Sequence, residues 1–297
     1  MSALVTSSSN ICLHRQGSDA HGFCSSDCPV DTPACPFRET GFPASCAERH
    51  NSTHKKILFL GNSYTGGNTG LPAKVISLAR GAGFSASVSS VTPGGQTFAG
   101  HSTGSINTIT GTADWDVVVL QGQSQRSSFG SGYVNYYIVP ETVVLGNAIK
   151  ATNPCTVPLF YQTWGKRDGD SQNCGNHDLF CSYEGIQDQL TQSYNTYAYV
   201  NQPAKVAPVG EAWRTYSDRN SLFDGDGSHA SSKGWFLAAC VMFEQIWGVP
   251  ASTSTYTEGD DLKAQATAIV NDGRQWSWPG ASTQFLFGHE NQSWTLS

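Results

Sequence analysis

The sequence Lys-Lys-Ile-Leu-Phe-Leu-Gly-Asn-Ser-Tyr-Thr, residues 55–65, contains the strongest fold signal of the chain. Its four consecutive apolar residues, 57–60, predict a short buried strand that ends at Gly61. Ser63 follows at the carboxyl end of this strand, which is the edge where open α/β sheets bind ligands. A serine held there by a glycine turn is a candidate nucleophile, provided that a base and an acid lie elsewhere in the chain.

Strand-like and helix-like stretches alternate from Lys55 onward. The predicted strands are residues 57–60, 85–91, 117–121, 157–161 and 205–209. The predicted helices are residues 71–81, 136–151, 184–200, 231–247 and 259–272. This alternation predicts parallel strands joined by crossover helices, and hence a three-layer α/β/α sandwich with a mostly parallel five-stranded sheet.

The composition argues against two classes of partner. Charged residues make up 13% of the 297 residues, and the formal net charge is −6. Nucleic acids and anionic membranes bind clustered Lys and Arg, so we expect neither as a partner. No apolar run approaches the roughly 18 residues of a membrane-spanning helix, so no integral membrane segment is expected.

The nine cysteines are unevenly distributed, which predicts a cysteine-rich, disulfide-braced segment at the amino terminus. Five crowd the first 46 residues, namely Cys12, Cys24, Cys28, Cys35 and Cys46. Such density indicates disulfides in an oxidising compartment. Zinc is the alternative, because Cys24 and Cys28 have tolerable ligand spacing and His14 and His21 lie nearby. The remaining spacings repeat no paired-ligand pattern, which favours disulfides.

The other cysteines are predicted to differ in state. Cys240 lies in an apolar helical stretch and is expected to be a free core thiol, while Cys174 and Cys181 can close a small loop. The amino terminus lacks the basic start and apolar stretch of a signal peptide. The cysteines favour an extracellular protein, so either its signal peptide is absent from this sequence or the extracellular interpretation is wrong.

The sequence Asp-Gly-Ser-His, residues 226–229, offers a base for Ser63. An acid three residues before His229 can hold the imidazole in one tautomer where the segment turns, which favours Asp226 over the more distant Asp224. A solvated turn is the structural alternative for this acidic, glycine-rich segment. A calcium loop does not fit, because its sixth position would be histidine rather than glycine and its twelfth tryptophan rather than glutamate.

Acyl transfer also requires donors for the developing oxyanion, each commonly worth about 10²–10³ in rate. The backbone N–H groups of Ser63 and of Gly95, after the second predicted strand, are candidates. The side-chain amide of Gln123, after the third strand, is a further candidate. The structural alternative is that these glycines and glutamines only form turns.

The three loops and the Asp-x-x-His together resemble the SGNH, or GDSL-like, hydrolase superfamily. The resemblance covers residues 55–249, about two thirds of the chain, with the blocks in family order. It implies that Ser63 is the nucleophile, Asp226 and His229 the acid and base, and Gly95 an oxyanion donor. Gln123 stands where the family has asparagine, and Gly-Asn-Ser replaces Gly-Asp-Ser. Both departures are typical of a divergent branch.

The resemblance implies a serine esterase that requires no metal and no organic cofactor. We expect it to hydrolyse short acyl groups on a carbohydrate or a similar extracellular ester. A lipase or polyester hydrolase of the same mechanism is the nearest alternative, and a catalytically silent glycan-binding protein is the alternative from another class. Trp164, after the fourth predicted strand, is a candidate to stack on a substrate ring, and the alternative is that it is a wall or core residue.

Three segments are expected along the chain. Residues 1–53 form the cysteine-rich segment, which we expect to brace the main domain. Residues 54–275 form the SGNH-like hydrolase domain, and residues 276–297 form a carboxyl-terminal tail. The oligomeric state is not predicted.

Overall fold

The computed structural model describes residues 14–15, 21–22, 41–66, 70–111 and 114–272. The predictions on Cys12, Cys24, Cys28, Cys35 and the tail 276–297 lie outside this part of the chain. Within it, no helix is long and apolar enough to cross a membrane. The same residues include no cluster of three or more His, Cys, Asp or Glu side chains arranged to bind a metal ion.

Five parallel strands form the central sheet, which confirms the predicted architecture. They are β1 (His54–Leu60), β2 (Ser85–Val91), β3 (Val117–Leu120), β4 (Val157–Tyr161) and β5 (Lys205–Ala207). Their order is β2-β1-β3-β4-β5, and every neighbouring pair is parallel. Two short strands before the sheet, His14–Arg15 and His21–Gly22, pair antiparallel.

Helices connect the strands and cover the sheet. The α-helices are α1 (Ala47–His50), α2 (Leu71–Gly81), α3 (Phe98–Gly104), α4 (Ile106–Gly111), α5 (Ser124–Ser127), α6 (Ser131–Tyr133), α7 (Val139–Thr152), α8 (Tyr183–Val200), α9 (Val209–Thr215), α10 (Ser232–Trp247) and α11 (Asp260–Asn271). One π-helical turn, Val134–Ile138, leads into α7. Single 3₁₀ turns are Ala44–Cys46, Asp178–Cys181, Arg219–Leu222 and Ala251–Thr253.

The apolar run of β1 is buried on both faces because helices cover both sides of the sheet. Ile57 and Phe59 pack into the core beneath α2 and α10. Leu58 and Leu60 point the other way, into the core beneath α7 and α8. Each of these side chains contributes about 1.5–3 kcal/mol of apolar burial, so β1 is anchored in the middle of the sheet.

Two predicted strands were too long, and for 117–121 the excess is only residue 121, since β3 ends at Leu120. Residues 205–209 were predicted as one strand, but β5 ends at Ala207 and α9 begins at Val209. Pro208 between them has no N–H for the strand ladder and precedes the first turn of the helix. The short helices α3 and α4 were not predicted, because their glycine, serine and threonine content hides the helical periodicity.

Two disulfides connect described residues. Cys174 bonds to Cys181, and Cys240 is a buried free thiol, as predicted. Cys46 bonds to Cys155, which is 109 residues away in sequence. This second bond ties the chain before β1 to the loop before β4, at the amino edge of the sheet. It therefore lies at the edge opposite to the one where Ser63 follows β1.

Candidate active site

The turn after β1 holds Ser63 in a half-buried position. The carbonyl of Asn62 accepts hydrogen bonds from the N–H groups of Thr65 and Gly66, at 2.9 and 3.2 Å. A β-carbon at Gly61 would lie 2.2 Å from the Thr65 hydroxyl oxygen, closer than two such atoms can approach. The turn therefore requires glycine at position 61, as the sequence indicated.

Ser63, His229 and Asp226 form one chain of hydrogen bonds. The Ser63 Oγ lies 2.9 Å from the His229 Nε2, across 166 residues of sequence. The His229 Nδ1 lies 2.5 Å from the Asp226 Oδ2. The structure thus brings together the three residues that the sequence predicted as nucleophile, base and acid.

Asp226 is held by its own turn. Its Oδ1 accepts hydrogen bonds from the backbone N–H groups of Ser228 and His229, at 2.8 and 2.9 Å. Desolvation raises the pKa of this carboxyl. The hydrogen bonds from the His229 ring and the two backbone N–H groups outweigh desolvation and lower the pKa to about 2. The ionised carboxylate accepts the Nδ1–H of His229, which leaves Nε2 as an acceptor facing Ser63.

Asp224, the alternative acid, forms no hydrogen bond with the imidazole, whose two nitrogens bond to Asp226 and Ser63. Its side chain accepts a hydrogen bond from the N–H of Gly225, at 2.7 Å. Its backbone N–H bonds to the His229 carbonyl at 2.8 Å, closing the turn in which Gly227 adopts a φ of 69°. Asp224 thus closes the hairpin that presents Asp226 and His229, while Asp226 contacts the ring.

Trp164 lies beneath the site rather than on its surface. Its indole stacks on Trp213 at 3.8 Å and on Tyr64 at 4.9 Å between ring centroids, and only 1% of it is exposed. Its Nε1 donates to the carbonyl of Ser228 at 2.9 Å. The prediction that Trp164 stacks on a substrate ring is therefore wrong, because other aromatic rings already cover the indole. It supports the loop that carries His229.

Two predicted oxyanion donors are backbone groups without partners among the described residues. The N–H groups of Ser63 and Gly95 form no hydrogen bond there. Gly95 adopts a φ of 67° in an exposed turn, which is closed by the Gln96 N–H on the Pro93 carbonyl at 3.2 Å. A positive φ of this size favours glycine at this position.

The predicted side-chain donor, Gln123, caps α5. Its Oε1 accepts the Arg126 N–H at 2.9 Å, and its Nε2 donates to the Gln125 Oε1 at 3.0 Å. An amide NH₂ has two hydrogens, and no described residue accepts the second one. Gln123 therefore retains one donor.

Gln121 and His101 support the nucleophile turn, although neither was predicted as a site residue. The Gln121 Oε1 accepts the Asn62 N–H at 2.9 Å and the Thr65 hydroxyl at 3.0 Å. The His101 Nε2 donates to the Gly61 carbonyl at 3.0 Å, and burial lowers the pKa of this imidazole. Gln121 could have been predicted as a site residue, because it is a polar residue at the end of a buried strand. Nothing in the local sequence indicated a role for His101.

The fold is similar to that of a DUF4886 family protein from Bacteroides uniformis ATCC 8492. The TM-score is 0.61, with 19% identity over 73% of this chain and 95% of that chain. A lipase/acylhydrolase from Enterococcus faecalis matches with a TM-score of 0.47 and 18% identity over 65% of this chain and 96% of that chain. A carbohydrate esterase family 3 protein from Talaromyces cellulolyticus matches with a TM-score of 0.49 and 16% identity over 64% of this chain and 95% of that chain.

No protein-family model and no curated protein matches the chain in sequence. The three sequence blocks follow β1, β2 and β3 at the carboxyl edge of the sheet, as the resemblance implied. The chain therefore shares the fold of the DUF4886 family protein.

Proposed function

We propose that the protein is a serine esterase that cleaves carboxylic esters through Ser63, His229 and Asp226. The observation that carries this proposal is the continuous hydrogen-bonded chain from the Ser63 hydroxyl through the imidazole to the Asp226 carboxylate. A serine hydroxyl is a weak nucleophile by itself, and an oriented base within hydrogen-bond distance is what activates it.

The reaction follows from this geometry. The Ser63 oxygen bonds to the ester carbonyl carbon while its proton passes to the His229 Nε2. The tetrahedral intermediate then expels the alcohol, whose oxygen takes that proton, and an acyl-enzyme remains. Water attacks the acyl-enzyme, gives a proton to the same nitrogen, and that proton returns to Ser63 as the acid leaves. We assign the stabilisation of the oxyanion to the N–H groups of Ser63 and Gly95 together with the Gln123 amide.

The substrate class proposed is a short acyl group on a carbohydrate or a similar polar alcohol. Asp226 and His229 are 51% and 42% exposed, so the site opens directly to solvent. Of the described residues, the large apolar side chains with the greatest exposure are Tyr136, Tyr137 and Val144, and none is in a triad loop. A lipase needs an apolar surface around its nucleophile, so this distribution favours a small acyl group and a polar alcohol.

An extracellular location is part of the proposal. Two disulfides connect described residues, and disulfides of this structural kind persist in oxidising compartments.

A fluorophosphonate probe tests the nucleophile directly. We expect it to label the native protein and to leave Ser63→Ala unlabelled. Ser217→Ala removes an exposed hydroxyl far along the chain and should label as the native protein does. Equal labelling of Ser63→Ala and native protein would refute the assignment.

A substrate panel tests the acyl and alcohol preferences. Nitrophenyl esters of increasing chain length and acetylated sugars would be compared by kcat/KM. The proposal predicts the highest values for acetyl esters and a decline with acyl length. A steady rise towards long acyl chains would favour a lipase. Absence of turnover together with binding of the sugars would indicate a glycan-binding protein.

A further inference from the structure

Asp170 is a buried carboxylate in the loop after β4 that the proposed triad does not use. It is 2% exposed, and its Oδ2 accepts hydrogen bonds from the Gln125 Nε2 at 2.8 Å and the Asn173 Nδ2 at 2.7 Å. Its Oδ1 lies 3.3 Å from the Lys166 Nζ. Burial raises the pKa of Asp170, but the hydrogen bonds and the Lys166 charge outweigh burial and lower it. The group is therefore an ionised acceptor with no proton to donate.

A carboxylate in this position determines which way the neighbouring amides point. Because Asp170 only accepts, Gln125 must direct its NH₂ group towards it. The Oε1 of Gln125 must then face Gln123, and it accepts the Gln123 Nε2 at 3.0 Å. The Gln123 Oε1 in turn accepts the Arg126 N–H at 2.9 Å. Both ends of the Gln123 amide are thereby assigned.

The block that contains Gln123 adjoins the nucleophile turn. Gln121, two residues earlier, bonds to the N–H of Asn62. The Oε1 of Gln121 also accepts the Thr65 hydroxyl at 3.0 Å. Gln121 thus contacts residues on both sides of Ser63.

We propose that Asp170 is a positioning residue that acts through Gln125 to present the second amide hydrogen of Gln123 to the oxyanion. This inference rests on the proposed esterase function. A glutamine side chain has one more rotatable bond than the asparagine that the family motif has at this position, so it needs an external restraint to act as a preorganised donor. Gln125 and Asp170 supply that restraint.

The loop that carries Asp170 is itself fixed. The Asp170 N–H donates to the Phe180 carbonyl at 2.6 Å, and the Cys174 N–H donates to the Asp170 carbonyl at 2.8 Å. The disulfide between Cys174 and Cys181 closes the same loop. The carboxylate is therefore held from its backbone as well as from its side chain.

The test is a double-mutant cycle between Asp170→Ala and Gln123→Ala, read as kcat and KM with an acetyl ester. We expect each single variant to lower kcat by up to about 10²-fold with KM changed less than about 3-fold, because the donor acts on the transition state. In the Gln123→Ala background, Asp170→Ala should lower kcat by less than about 3-fold. Asp170→Asn retains an acceptor for Gln125 and should preserve most of the activity.

Two controls separate positioning from folding. Asp178→Ala removes an exposed carboxylate from the same loop and should leave kcat unchanged. Gln125→Met keeps the side-chain volume but removes the relay, and should reproduce the Asp170→Ala result if that variant proves unstable in thermal melting. Equal losses from Asp170→Ala with and without Gln123 would overturn the proposal. Full activity of Gln123→Ala, with Ser63→Ala inactive, would also overturn the proposal. That outcome would leave the esterase function unaffected.

Discussion

Asp226→Asn changes one atom, and the structure determines how the imidazole responds. The Oδ1 position of residue 226 accepts two backbone N–H groups, from Ser228 and His229. An asparagine must place its oxygen there, because an NH₂ facing two N–H donors loses both hydrogen bonds. At about 1 kcal/mol each, this favours one amide orientation by about 2 kcal/mol, or roughly 30-fold.

The asparagine NH₂ then occupies the Oδ2 position, 2.5 Å from the His229 Nδ1 in the native protein. A donor at that place requires Nδ1 to be the acceptor, so the ring proton moves to Nε2. In that tautomer Nε2 cannot accept the Ser63 proton, although 2.9 Å still separates the two atoms. We therefore expect kcat to fall by about 10³–10⁴-fold, with the fold intact.

The assay is steady-state hydrolysis of nitrophenyl acetate, with circular dichroism to verify folding. Asp224→Asn is the matched control, because this carboxylate lies in the same hairpin but accepts its side-chain hydrogen bond from Gly225. Its kcat should remain within about 3-fold of the native value, since no tautomer changes. A folded Asp226→Asn variant with kcat within tenfold of native would refute the tautomer argument and point to another acid.

Three other perturbations test the supporting structure. Gly61→Ala should lower both activity and melting temperature, because the new β-carbon would lie 2.2 Å from the Thr65 hydroxyl oxygen. Gly94→Ala is the control: its β-carbon would meet nothing within 4 Å, so it should change neither quantity. Replacing Cys46 and Cys155 by serine should lower the free energy of unfolding by about 2–5 kcal/mol in denaturant titrations, with kcat little changed, because that disulfide lies at the far edge of the sheet. In the folded protein the pKa of His101 lies below its ordinary value of 6.5. The neutral imidazole therefore makes its full contribution to stability above pH 6.5. Below that pH the unfolded chain binds a proton that the folded protein does not, so the contribution falls by at most about 1.4 kcal/mol per pH unit. The stability advantage of the native protein over His101→Gln should accordingly shrink between pH 7.5 and pH 5.5, and an advantage that grows towards low pH would contradict the shift.

Much of the fold was readable from local pattern. The strands of a parallel sheet are covered on both faces, so they appear as short continuous apolar runs such as 57–60, and the β1, β3 and β4 predictions relied on that pattern. The predicted bounds of α2 and β2 agree with the structure. The Asp-x-x-His spacing was also sufficient to indicate that one turn could hold both an acid and a base.

Other features depended on contacts between distant segments. The stacking of Trp213 and Tyr64 on Trp164 buried a ring that looked available in sequence. The pairing of Cys46 with Cys155 joins residues 109 positions apart, and no local spacing specifies such a partner.

What the sequence determined by itself is the set of chemical groups and the elements that carry them, because hydrophobic periodicity and turn chemistry act over a few residues. The tertiary structure alone decided their mutual geometry. It brought the Ser63 oxygen to 2.9 Å from the His229 ring and linked Gln123 to a buried carboxylate through Gln125. Hydrogen bonds require atoms to agree within tenths of an ångström, and packing of the whole sheet and its helices is what sets positions at that scale.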